Sequence, residues 1–122
     1  MIFSSNSGDI ECLIEEEIET LIRESSFKPF DDIWIGSEER YPCLAILINK
    51  ELACVHYFLN DYGDAYQSIG NYKETNTVEF IAGGEKTELP YYSVVTLDKA
   101  IECAKQFFLV QNLPSCIEWN EL

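Results

Sequence analysis

Six consecutive apolar residues, Cys43-Leu44-Ala45-Ile46-Leu47-Ile48, decide the centre of this fold. A run with no polar alternation reads as a central strand covered on both faces. Tyr41-Pro42 opens it, and Asn49-Lys50-Glu51 is a tight connection to a second strand, Leu52 to Leu59, so the two pair as a hairpin. Everything else must be arranged around that pair.

Upstream, Ser7-Gly8-Asp9 offers a cap for a helix from about Ile10 to Glu24. Its apolar positions Ile10, Leu13, Ile14, Ile18, Leu21 and Ile22 recur at three and four, which sets them on one stripe. Glu11, Glu15, Glu16, Glu17 and Glu19 fall mostly on the other face, with no lysine interleaved at i+4. A short strand, Ile33-Trp34-Ile35, follows the turn Phe27 to Asp32 and closes at Gly36. Downstream, a short strand is expected at Ala65 to Ile69. Val78 to Ala82 and Lys86 to Val95 form a hairpin about Gly83-Gly84-Glu85, with Pro90 marking an edge or bulge. Thr96 caps a helix from Leu97 to about Val110, and Cys116 to Trp119 is a terminal strand or extended tail. The order predicts one α+β domain over residues 1–122: an antiparallel sheet of about five to six strands, with an N-terminal and a C-terminal helix packed on it.

Charge narrows the function. The chain carries 22 Asp+Glu against 8 Lys+Arg, a net charge of −14 on 122 residues. Residues 1–39 hold eleven of those acids against two bases. Such a surface repels nucleic acid and anionic membrane and favours a basic partner. No apolar run approaches the ~20 residues that span a bilayer. Met1-Ile2-Phe3-Ser4-Ser5 lacks the basic and apolar regions of a secretory signal, so the expected compartment is the cytosol. Five cysteines (Cys12, Cys43, Cys54, Cys103, Cys116), odd in number and without a C-x-x-C pair, read as reduced and structural, with one reactive or paired thiol as the alternative.

Catalytic signals are thin. The sequence has no G-x-S-x-G, P-loop or G-x-G-x-x-G motif, and no paired ligand spacing for zinc. The lone His56 lies among Cys54, Tyr57 and Phe58, where a hydrogen-bonded structural role outweighs a Cys-His dyad. Asp61-Tyr62-Gly63-Asp64 does not follow the ligand order of a calcium loop. No cofactor or metal is expected. The carboxylates have a plain reading as a solvated face, but tyrosines at 62, 66 and 72 among Asp61 and Asp64 fit a protein-binding surface. There, rings anchor and charge steers. The expected contacts are Glu15, Glu16, Glu19, Asp31, Asp32, Asp61, Tyr62 and Asp64.

The C-terminal two thirds carry a resemblance. Gly83-Gly84, Leu89-Pro90, a helix bearing Ala100, Ala104 and Phe107-Phe108, then Pro114 and Ile117-Glu118-Trp119 resemble the first immunity-protein family of bacterial polymorphic toxin and contact-dependent inhibition systems. Tyr41-Pro42 before an apolar strand is similar to that family's first core hairpin, and Trp119 to its C-terminal tryptophan. The resemblance spans roughly residues 41–119. It implies an α+β cytosolic antidote, without catalytic residues, that binds and blocks a cognate toxin domain, often a deaminase or nuclease. With one histidine and no catalytic motif, the expected complex is one-to-one with a monomer. Two other readings remain open: an acidic adaptor or DNA mimic that binds a basic housekeeping protein, and an enzyme of unrecognised type. Trp119 is expected to pack against the last helix.

Overall fold

A computed structural model describes residues 1–70 and 76–122; Tyr72 lies outside the described residues. The chain runs β1 (Ile2–Ser5), β2 (Gly8–Glu11), α1 (Glu15–Ser25), β3 (Asp31–Gly36), β4 (Cys43–Asn49), β5 (Leu52–Phe58) and β6 (Ala65–Ile69). It continues through β7 (Thr77–Ala82), β8 (Glu85–Pro90), a 3-10 turn (Tyr91–Ser93), β9 (Val95–Thr96), α2 (Leu97–Val110) and β10 (Glu118–Glu121). The main sheet has the order β10-β6-β5-β4-β3-β1-β2, antiparallel throughout, with β9 added beside the start of β5.

The α+β class and the central β4–β5 hairpin stand as expected, with Asn49 opposite Leu52 across the turn. The strand count does not. Eight strands form the sheet rather than five to six, and β7–β8 is a separate two-stranded unit. The difference begins at the N-terminus, where residues 2–11 form a hairpin instead of leading into a helix. Gly8 turns it with φ 114°, a conformation open to glycine but costly for other residues. Ile10, Leu13 and Ile14 therefore stay exposed, although they share the helical spacing of Ile18 and Ile22, which are fully buried. Helix α1 starts only at Glu15, and Ile14 at its N-cap makes no side-chain cap bond. The end of the second expected hairpin also shifts: its strand stops at Pro90, a single 3-10 turn follows, and Val95–Thr96 pairs separately with β5. Thr96 does cap α2, its Oγ1 accepting from the Lys99 amide at 3.2 Å.

Alternation along the strands sorts the core into two layers. Ile33 and Ile35, Leu44, Ile46 and Ile48, and Ala53, Val55 and Tyr57 point one way. They meet Ile18 and Ile22 of α1 and Leu97, Ala100, Ile101, Ala104 and Phe107 of α2. Burying each large apolar chain here contributes about 1.5–3 kcal/mol. Leu47 and Cys54 point the other way and pack with Val78 and Phe80 of β7 and with Val94. β4 is thus covered on both faces, as its unbroken apolar run requires. Trp119 joins the helix-side layer: its Nε1–H donates to the Pro114 carbonyl at 2.7 Å, and its ring meets the edge of Tyr57, which itself abuts Phe107.

Candidate functional site

The eight expected contact residues fall in three places. Glu15, Glu16 and Glu19 lie on α1 at its boundary with α2. Glu19 is half-buried, bonded to Lys105 and Arg23 at 3.0 Å each, and the Lys105 ammonium and then Arg23 hold its carboxyl below the usual range. Lys105 also feels Glu15 and Glu16. Of the three, Glu19 is paired within the fold.

Asp31 and Asp32 are structural. Asp31 is only 2% exposed, with Lys28 3.5 Å away and the Asp32 amide donating to it at 2.9 Å. Its carboxylate is turned inward, away from solvent, unlike the other expected contacts. Asp32 accepts from Asn6 in the β1–β2 turn at 3.3 Å and from the Gly83 amide in the β7–β8 turn at 3.2 Å. Its carboxylate ties two turns across the sheet.

Asp61, Tyr62 and Asp64 remain available. They sit in the loop after β5, where Asn60 Oδ1 accepts from the Tyr62 and Asp64 amides and Asn60 Nδ2 donates to Asp64 at 2.8 Å. Gly63, at φ 101°, completes the tight loop. The result presents Tyr62 to solvent, 88% exposed. Strand register separates this loop from the aspartate pair. Asp31 lies opposite Ile48, and Ile48 opposite Ala53, whereas Gly36 lies opposite Cys43, and Cys43 opposite Phe58. Five residues of strand, about 17 Å, lie between the two ends.

At the loop's end of the sheet, the face away from the helices carries residues that sequence reasoning passed over. Trp34 and Phe58 stack across β4 with ring centroids 5.5 Å apart, and His56 stacks on Phe58 at 6.1 Å. Between them, on β4, stand Cys43 and Ala45, both buried. The signal was present: Trp34 sits between Ile33 and Ile35, and strand alternation sends the tryptophan to the face opposite two buried isoleucines. A cleft of about 470 Å³ opens beside it, lined by Ile2, Asp9, Glu38, Arg40 and Tyr41 among others.

His56 has the hydrogen-bonded role expected. Its Nε2 lies 3.1 Å from Gln67 Nε2, an amide that can only donate, and burial lowers the imidazole's pKa; both favour the neutral ring. The five thiols are free. Burial pushes Cys43 up to about 11 and raises Cys12, Cys54 and Cys103 as well, so these are neutral thiols rather than nucleophilic thiolates. Cys103 and Cys116 share a contact at 3.1 Å between sulfurs. Among the described residues no group of three or more His, Cys, Asp or Glu is placed to hold a metal, and no helix is long and apolar enough to cross a membrane.

Exposed rings set among carboxylates are the chemistry of a protein-binding surface. The chain matches the family described as Immunity protein Imm1 over residues 10–121, and it belongs to that family. It is 30% identical over 118 residues, 94% of each chain, to a protein of Burkholderia cenocepacia (strain H111) named Double-stranded DNA deaminase immunity protein. The family resemblance read from residues 41–119 thus holds and extends further toward the N-terminus, through α1 and the last two residues of β2.

Proposed function

We propose that this protein neutralises a cognate toxin domain that acts on nucleic acid, a deaminase or nuclease. It does so by binding one-to-one as a monomer and covering the toxin's active or substrate-binding surface. The observation that carries this reading is membership of the immunity family, together with a relative whose name specifies immunity to a DNA deaminase. Charge supplies the physics. A toxin that grips phosphates presents lysine and arginine, and a chain of net charge −14 is attracted to that surface in the substrate's place. The protein acts in the cytosol, where the toxin meets its target, and has no turnover of its own.

Titration of the purified toxin with this protein tests the reading. Activity on DNA or RNA is expected to fall linearly and vanish at a molar ratio of one. Inactivation at a small fraction of equivalence would mean that the protein modifies or degrades its target instead.

A further inference from the structure

The separate β7–β8 hairpin covers only part of the second sheet face. It packs over Leu47 and Cys54 and reaches Asp32 through the Gly83 amide. Beyond it the face is open around an aromatic pair: Trp34, stacked on Phe58, is 45% exposed, and the loop after β5 separately exposes Leu59 and Tyr62, 44% and 88%. A fold that buries Ile33, Ile35, Leu44 and Ile46 completely leaves Trp34 half in water and Phe58 only partly covered. Apolar surface gathered in one place beside a cleft, rather than scattered singly, marks a site of interaction.

We propose that this open face, centred on the Trp34–Phe58 stack and its cleft, is where the protein docks the toxin, and that it takes an arginine- or lysine-bearing segment of the toxin's nucleic-acid-binding surface. The proposal rests on the toxin-neutralising reading and assigns it a surface. Charge complementarity selects the occupant. Asp9 of β2 and Glu38 line the cleft with Trp34, against one base, Arg40, and Asp61 and Asp64 flank Tyr62 on the loop after β5. A guanidinium entering there lays its plane on the Trp34 or Tyr41 ring while its N–H groups reach a carboxylate, a combination that suits arginine better than any neutral side chain. Helix α1, whose Glu19 is already engaged by Lys105 and Arg23, then contributes long-range field rather than contacts.

Surface plasmon resonance against the toxin, with circular dichroism of each variant, tests the assignment. Trp34→Ala is expected to weaken binding about tenfold or more, mainly through faster dissociation. The paired reversal Asp9→Lys with Glu38→Lys, which removes no core packing, should slow association severalfold, while Arg40→Gln should speed it. Glu51→Lys, in the β4–β5 turn at the other end of the sheet, should change neither rate more than about twofold. Since the paired reversal tests the surface without Trp34, misfolding of Trp34→Ala leaves the proposal open to refutation. Wild-type inhibition with the paired reversal still binding like wild type would overturn the docking face and leave the proposed function standing. Absence of wild-type binding would overturn both. Self-association abolished by Trp34→Ala would assign the face to a second copy of this chain and contradict the proposal.

Discussion

His56 shows how one side chain records its surroundings. Gln67 holds it as an acceptor, and burial disfavours its charged form, so its pKa in the folded chain lies below the unfolded value near 6.5. The sign follows from proton counting. As pH falls below about 6.5, the unfolded chain takes up a proton that the folded chain still refuses, and stability drops. Wild type should therefore lose stability relative to His56→Gln between pH 7 and pH 5, by at most about 1.4 kcal/mol per pH unit. Urea unfolding at several pH values reads this directly; parallel profiles for the two proteins would contradict it. Aspartates at 31 and 32 teach a related lesson. An acidic pair looks like surface in a chain of 22 acids, yet Asp31 is buried beside Lys28 and Asp32 fastens two turns.

At the scale of elements, a close join runs between the end of β6 and the segment leading into β9. The Gly70 amide donates to the Tyr92 carbonyl at 2.5 Å, and Ser68 Oγ donates to the Ser93 carbonyl at 2.6 Å. A Cβ placed on Gly70 would run into the Val94 carbonyl. Gly70→Ala is expected to cost about 1–3 kcal/mol, seen as a lower urea midpoint with an unchanged slope; a midpoint within error of wild type would show that this segment yields freely. The elements legible in the sequence were those whose signals are local: the unbroken apolar run of β4, the Asn49-Lys50-Glu51 turn, and the Thr96 cap of α2. Helix α1 was placed too early because Ile10, Leu13 and Ile14 continue the spacing of Ile18 by coincidence, across a strand and a loop. Of the surface proposed here for docking, only the loop was legible in the sequence. Asp61, Tyr62 and Asp64 announce themselves as neighbours, whereas Trp34 and Phe58 are brought together by the β3–β4–β5 register, which no window of sequence displays.

Over the whole molecule, structure and charge divide the labour. Two helices and one hairpin bury most of the sheet and leave one end of one face open. Around it stands a field from fourteen excess negative charges, able to raise association with a basic partner well above the unsteered range, toward ~10⁸ M⁻¹s⁻¹ at low salt. Steering alone does not neutralise a toxin; the proposed function requires occupancy of the surface that holds nucleic acid. The direct measurement is competition at equilibrium. A fluorescent oligonucleotide is bound to catalytically inactive toxin, this protein is added, and the anisotropy of the oligonucleotide is followed against molar ratio. Release of the oligonucleotide, complete at one equivalent, is the predicted result. Retention of the oligonucleotide in a ternary complex, with toxin activity nonetheless abolished, would contradict occlusion.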